Sequence, residues 1–136
     1  MTGRAWGIVA LLALSGCSIG KDVPIAEQAV DGFHRQLNAG QFDAIYAASA
    51  ADMKAVSPQT TLTALLGAIH RKLGLFKSGK VIGWNDNAST SGHFITLNYS
   101  AVYANGPADE NFVYRMDGQQ AVLAGYHINS DQLILR

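Results

Sequence analysis

The chain has few cysteines, few prolines and no excess of charge of either sign. Its 136 residues include one cysteine and three prolines, so stability must come from packing rather than from internal disulfides. Ten Lys and Arg balance ten Asp and Glu, which gives no electrostatic case for nucleic-acid binding, because that binding needs a basic face. No apolar run reaches the roughly 18 residues of a membrane-spanning helix, and no repeat or low-complexity tract is present. The sequence predicts one packed domain.

The first apolar run lies near the start of the chain and ends at the single cysteine. Arg4 precedes an uncharged stretch from Ala5 to Leu14, and Ser15-Gly16-Cys17 follows it. This arrangement predicts a secretory signal peptide. The closing residues resemble the lipobox of bacterial lipoproteins, in which the cysteine is acylated on its thiol and becomes the first mature residue. The resemblance implies a cleaved signal peptide over residues 1–16 and a lipid anchor of the palmitate type on Cys17.

An acylated Cys17 would hold the protein at a membrane surface. Buried acyl chains contribute about 0.8 kcal/mol per methylene, so two or three chains give a nearly permanent anchor. A lone cysteine can also be a buried thiol or pair with another chain, but a core cysteine has no reason to end a signal sequence. Ser18, not aspartate, follows the cysteine, and this resembles Gram-negative lipoproteins of the outer membrane that face the periplasm. Residues 17–24 then form a lipidated tether, and residues 25–136 form the domain.

The first half of the domain has the apolar spacing of three helices. Apolar side chains recur from Ile25 to Leu37, and the stretch 38–40, which ends in glycine, supplies a stop. A second, shorter helix is predicted from Gln41 to about Ala51. A third begins at Ser57-Pro58, which are typical cap and first-turn residues, and runs to Gly74.

After residue 79 the spacing becomes alternating, which predicts strands. Four strands are predicted, over residues 80–85, 93–104, 109–116 and 120–130, with residues 86–92 as a loop. In the last strand the alternation places Leu123 and His127 on the side opposite Tyr126. Gly83 and Gly125 interrupt strand patterns, where glycine often marks a bulge. Three helices followed by an antiparallel meander predict an α+β domain, with the helices packed on one face of a curved sheet.

The order of elements and four short segments resemble the nuclear-transport-factor-2-like, or cystatin-like, superfamily, a cone of curved sheet wrapped around a long helix. The segments are FHRQLNAGQFDAIY at 33–46, LGLFKS at 73–78, GWN at 83–85 and LAGYHINS at 123–130. More closely, the chain resembles bacterial exported and lipoprotein members without an assigned activity. The resemblance implies the cone fold but no single function, because this scaffold carries isomerases, dehydratases, transport factors and assembly domains.

Enzymes of this superfamily such as ketosteroid isomerase place an acid or base and a hydrogen-bonding Tyr or Asp deep in the cone. The candidates here are Asp43, Tyr46, Tyr99, Tyr103, Glu110 and His127. No pair among them has a spacing that forces two titrating groups together, as acid and base catalysis would require. The four histidines, at positions 34, 70, 93 and 127, are scattered over separate elements, so neither a metal site nor a cofactor is predicted.

These observations favour a lipid-anchored envelope protein with a non-catalytic binding or assembly domain. Its expected partners are the membrane, through acylated Cys17, and another protein, a second copy in a homodimer or a small apolar molecule. The alternative, from a different class, is an enzyme of the ketosteroid-isomerase type that uses the cone as a small-molecule pocket. Its polar groups would come from Tyr46, Tyr99, Tyr103 and His127.

Overall fold

Helices precede a four-stranded sheet in the computed structural model, which describes residues 20–135. The helices before the sheet are α1 (Val23–Asn38), α2 (Phe42–Ala47), α3 (Ala51–Val56) and α4 (Gln59–Leu73). The strands are β1 (Phe76–Ser89), β2 (Gly92–Tyr103), β3 (Gly106–Asp117) and β4 (Gln120–Asn129), and the short helix α5 (Asp131–Ile134) follows. This confirms the predicted α+β class with an antiparallel sheet of four strands.

The sheet is a meander in which neighbouring strands are also consecutive in the chain, in the order β1-β2-β3-β4. Three bulges interrupt its ladders, and the first skips Lys77 near the start of β1. The pairing of β1 with β2 skips Ile82, beside Gly83, and the pairing of β3 with β4 skips Ala124, beside Gly125. Each bulge adds local bend and twist, so both glycines mark a bulge as predicted, and the sheet curves around the helices.

The helical half differs from the prediction of three helices, because the second helix is shorter than the predicted range of Gln41 to about Ala51 and a further helix, α3, lies between it and α4. The helix α2 ends at Ala47, and Ala50 takes an extended conformation before α3 begins. The backbone N–H of Ala50 donates to the carbonyl oxygen of Leu123 in β4 at 2.8 Å. A tertiary hydrogen bond thus replaces the helical one, and local helix propensity does not decide the outcome.

The predicted loop at residues 86–92 is largely strand. The strand β1 continues to Ser89 and pairs with β2, with Asp86 opposite Ile95 and Ala88 opposite His93. The segment has the polar composition of a loop, but most of it is exposed, and an exposed strand needs no apolar residues. The prediction of a loop was therefore wrong, and the connection is a two-residue turn at Thr90-Ser91.

The side chains of β4 are not divided between the two faces as predicted. Leu123 is 7% exposed and belongs to the same core as Tyr126 and Ile128. The bulge at Ala124 explains the error, because one extra residue reverses the alternation and brings Leu123 to the inner face. His127 remains exposed.

One continuous core joins the helices to the inner face of the sheet. The long helix α1 contributes Ala26, Val30, Phe33 and Leu37, each at most 5% exposed. The predicted inner faces of the two central strands are confirmed, since the following are all buried: Ile95, Leu97, Tyr99, Ala101, Tyr103, Phe112, Tyr114 and Met116. The helix α1 ends as predicted before Gly40, whose φ of +70° suits glycine.

Candidate functional site

A cluster of four polar side chains lies in the middle of this core. Glu110 accepts hydrogen bonds from the hydroxyls of Tyr103 at 3.0 Å and Tyr126 at 2.5 Å, both at Oε2. Its other oxygen, Oε1, lies 2.8 Å from Nε2 of His34. An ionised carboxylate can only accept hydrogen bonds, so Nε2 of His34 carries the proton when Glu110 is charged.

The local sequence explains how these side chains reach the core. His34 lies four residues after Val30 and three before Leu37, on the apolar stripe of α1. Glu110 alternates with Phe112 and Tyr114 on the inner face of β3. The helix and the strand therefore present a histidine and a carboxylate to each other, although 76 residues separate them.

The cluster is enclosed by aromatic rings. The side chain of Glu110 is 0% exposed and that of His34 is 2% exposed. The imidazole stacks on Phe76, with the ring centroids 3.6 Å apart, and Phe112 meets it edge-on at 5.8 Å. Phe33 and Tyr126 pack against the same Phe112 ring at 5.1 Å. Side chains thus fill the centre of the domain, and His34 and Glu110 have almost no contact with solvent.

The buried phenols of the cluster are held in the neutral form. Burial, and next the charge of Glu110, raise the pKa of Tyr103 and of Tyr126 well above the ordinary value. The pKa of Tyr99 is raised to about 12, chiefly by burial and then by the charges of Asp31 and Glu110. These three hydroxyls therefore act as hydrogen-bond donors and not as bases near neutral pH.

A second feature is an open, mainly apolar groove between α1, α2 and the β3–β4 hairpin. Its volume is about 220 Å³. We call it the helix–sheet groove, and its lining residues are Ala29, Gly32, Phe33, Gln36, Ile45, Ala48, Tyr114, Ala121 and Leu123. The Tyr114 hydroxyl is buried and has no hydrogen-bond partner within residues 20–135. Burial raises the pKa of Tyr114, so this hydroxyl stays protonated.

The outer face of the sheet carries a row of polar side chains across three strands. Asn98 on β2 lies opposite Asn111 on β3, which lies opposite His127 on β4. The amide of Asn111 donates to Asn98 Oδ1 at 2.7 Å. The row borders an open depression of about 330 Å³, whose lining also includes Tyr99 and Glu110. The bulk of both of those residues is buried on the inner side.

The candidate site residues predicted from the sequence therefore lie in several separate parts of the structure. Tyr103 and Glu110 meet in the core, and Tyr99 lies beside them, with its ring 5.3 Å from that of His34. His127 lies on the opposite face of the sheet. Tyr46 lies on α2, where the Lys54 ammonium is 5.5 Å from the ring centroid. Asp43 is exposed and accepts a hydrogen bond from Gln59.

Three residues of these sites were missed at the sequence level, namely His34, Tyr114 and Tyr126. No spacing in the sequence forces any of the six candidates together, yet Tyr103 and Glu110 meet, and His34, which was not a candidate, contacts Glu110. The helical stripe of α1 was a usable signal for His34, since its spacing from Val30 and Leu37 places it on the apolar side. No comparable signal paired it with Glu110, because contacts between distant segments do not follow from spacing.

Between Gly20 and Leu135, no three His, Cys, Asp or Glu side chains converge as a metal site would require, and no helix is long and apolar enough to cross a bilayer. Cys17 and the predicted signal peptide lie outside the described residues. No family model matches the chain, and a search of curated proteins finds none with significant similarity. The contacts and chemistry of the residues themselves therefore carry the functional inference.

Proposed function

We propose that this protein is a lipid-anchored envelope protein whose domain binds a small apolar group without catalysing a reaction. We also propose that its fold is the cystatin-like, or nuclear-transport-factor-2-like, cone. The helices that precede a bulged, curved meander support the fold proposal. The apolar run that ends at Cys17 supports the anchor, with Gram-negative outer membrane as the expected location.

The enclosure of His34 and Glu110 supports a domain that binds without catalysis. General acid or base catalysis needs a group within hydrogen-bond reach of the substrate. The Glu110 carboxylate is 0% exposed, and its hydrogen bonds are taken by Tyr103, Tyr126 and His34. These contacts give the cluster a structural role.

The observation that carries the binding proposal is the buried, unpartnered Tyr114 hydroxyl beside an apolar groove. A buried polar group without a hydrogen bond is costly, and a ligand that offers one polar atom would remove that cost. Ligand sites commonly combine an apolar lining with a few polar groups. The groove volume of about 220 Å³ suits a short alkyl chain or a single ring that carries one hydrogen-bonding atom.

Titration of the protein with hexanol, followed by NMR chemical shifts of groove residues, tests this assignment. We expect shifts at Ala29 and Ala48. Tyr114→Phe removes only the hydroxyl and should weaken hexanol binding roughly threefold to tenfold, the usual worth of one hydrogen bond. Cyclopentane has no polar atom and should bind both forms equally.

A groove-filling variant provides the matched control. A Cβ built at Gly32 meets only the Arg35 guanidinium within 4 Å, at 3.7 Å, so Gly32→Leu should fold and fill the groove. It should abolish the shifts with both ligands. Shifts that persist in Gly32→Leu, or shifts confined to another face, would show that the groove is not the site.

Cell fractionation tests the anchor separately. We expect the wild-type protein in the membrane fraction and Cys17→Ser in the soluble fraction, because the variant has no thiol to acylate. Mass spectrometry should find an acylated cysteine at the mature N terminus. A Cys17→Ser protein that stays in the membrane fraction would contradict the anchor.

One observation favours the enzyme alternative. Nδ1 of His34 has no hydrogen-bond partner among residues 20–135, while Nε2 is paired with Glu110. A histidine oriented by a carboxylate on one nitrogen is a typical base at the other. Its activity would require access from the shallow opening lined by His34, Asp31 and Asn38.

Chemical modification separates the two proposals. Diethylpyrocarbonate reacts with accessible, neutral imidazoles, so exposed His127 should react quickly. His34 should be protected if the cluster is structural. Modification of His34 at a rate near that of His127 would favour the enzyme.

A further inference from the structure

The N-terminal end of the described chain is fixed to one end of the sheet. The backbone N–H of Gly20 donates to Asp86 Oδ2 at 2.9 Å. The other oxygen of Asp86 lies 2.6 Å from Nε2 of His93, and Nδ1 of the same ring is 3.8 Å from Asp22. These contacts attach the start of α1 to the β1–β2 hairpin, so the chain enters the domain at a defined point.

A tryptophan lies directly against this entry point. A Cβ built at Gly20 would be 2.7 Å from Cη2 of Trp84, so the indole packs on the Gly20 backbone. Trp84 is nevertheless 49% exposed. The hairpin residues beyond it, Asn87-Ala88-Ser89-Thr90-Ser91, are all exposed and uncharged. We call Gly20, Trp84 and residues 87–91 together the hairpin end.

The length of chain before Gly20 limits how far this end can lie from an anchor. Cys17 precedes Gly20 by three residues, which span at most about 11 Å when fully extended. If Cys17 carries the lipid, Gly20 and the indole that packs on it lie within that distance of the bilayer surface. Uncharged side chains approach lipid without the cost of desolvating a charge. An exposed indole is the side chain most typical of the membrane–water interface.

We propose that the hairpin end is a membrane-contacting surface on which Trp84 inserts its indole into the interfacial layer of the bilayer. This inference rests on the proposed acylation of Cys17. It adds an orientation, in which the stretch from Trp84 to Ser91 lies along the membrane surface and the other end of β1, at Phe76, points away. The partner is the phospholipid surface itself, and the acyl anchor supplies most of the affinity.

Attaching a lipid chemically separates this inference from acylation in the cell. Cys17 is the only cysteine, and the two tryptophans are Trp6 and Trp84. A chain from Cys17 to Arg136 therefore contains every described residue, one thiol and one indole. The thiol can be coupled to a maleimide lipid in phosphatidylcholine vesicles with or without brominated acyl chains.

Brominated acyl chains quench the fluorescence of an indole only when the indole lies at the bilayer. We expect the tryptophan fluorescence of the coupled protein to fall about twofold on brominated vesicles. Its emission maximum should move to shorter wavelength, as expected for an indole at the membrane interface. Protein mixed with the same vesicles but not coupled should show neither change.

Moving the tryptophan along β1 gives the matched control. Leu75 precedes β1 and is 45% exposed, and nine residues of strand separate it from Trp84 by about 30 Å. Trp84→Phe combined with Leu75→Trp places the sole indole at the far end, where quenching should be absent. Circular dichroism checks that this variant is folded.

Equal quenching at the two positions, or none at Trp84 in the coupled protein, would overturn the proposed orientation. Failure of the cell fractionation experiment with Cys17→Ser would instead remove the anchor. The vesicle experiment does not depend on that result, because the lipid is coupled chemically to Cys17.

Discussion

Glu110 is the residue on which the polar interior depends. It is the shared partner of His34, Tyr103 and Tyr126, so removing it leaves three buried groups without their hydrogen bonds. Loss of one partner from a buried ionic or hydrogen-bonded cluster commonly costs about 3–5 kcal/mol. We expect Glu110→Leu to lower the free energy of unfolding by that amount in a urea titration.

The neighbouring carboxylate offers a direct comparison for this variant. Asp109 is exposed on the opposite face of the same strand, so Asp109→Leu should change stability by no more than about 0.5 kcal/mol. Similar losses in the two variants would mean that the network contributes little beyond strand propensity.

Individual residues could be predicted from the sequence where one local pattern decides their position. Tyr99, Tyr103 and Phe112 follow strict alternation on the central strands and are buried as expected. His34 follows helical spacing just as clearly. The contact between His34 and Glu110 could not be predicted, because it depends on how α1 lies across the sheet.

Within the strand β1, two glycines have very different surroundings. A Cβ at Gly79 would lie 2.8 Å from the carbonyl oxygen of Ser100 and would also collide with the Tyr99 ring. A Cβ at Gly83 would meet Asn98 at an ordinary 3.5 Å. We expect Gly79→Ala to lower the free energy of unfolding by about 1–3 kcal/mol, the usual cost of overpacking.

Gly83→Ala is the control for this prediction in the same strand. It should be neutral or slightly stabilising, since alanine restricts the unfolded chain more than glycine does. Chemical denaturation measures both variants, and a Gly79→Ala protein as stable as Gly83→Ala would contradict the close packing of β1 on Tyr99.

A bidentate ion pair links the short helix α3 to the strand β3. Arg115 donates to both carboxylate oxygens of Asp52, at 2.8 Å and 2.7 Å. These hydrogen bonds lower the pKa of Asp52 below its ordinary value of 3.8. The unfolded chain therefore binds a proton more readily, and the stability supplied by the pair above pH 3.8 is lost as pH falls through the lower, folded-state pKa.

We expect Asp52→Asn to lower stability at neutral pH and to make the fall in stability below pH 3.8 shallower than in the wild type. Urea titrations at a series of pH values measure both effects. Arg115→Met should reproduce the change, and the double variant should show no further change. Additive effects of the two substitutions would contradict a direct interaction.

Helices and strands with an uninterrupted apolar pattern could be predicted from the sequence. Elements whose ends or faces are set by tertiary contacts were predicted at the wrong residues. The strands β2 and β3 alternate without a break and were found at nearly the predicted residues. The break between α2 and α3 depends on the hydrogen bond from Ala50 to Leu123. The reversed faces in β4 depend on one extra residue at Ala124. Neither feature can be recognised from the helix or strand propensity of the local sequence.

The whole molecule should unfold as one unit. The core is a single cluster to which α1, α4 and the sheet all contribute, so no part can separate without exposing apolar surface of another. For the chain that begins at Cys17, we expect circular dichroism and Trp84 fluorescence to give the same midpoint in urea. Two separated midpoints would show that the hairpin end opens independently.

The bulge at Ile82 has a consequence for self-association. The strand β1 forms one edge of the sheet, and a long, regular edge invites another chain to add a strand. The skipped residue interrupts the outward row of backbone donors and acceptors near the middle of β1, and Lys77 and Lys80 add charge along it. The bulge and the two lysines therefore disfavour edge-to-edge strand pairing between two copies along β1.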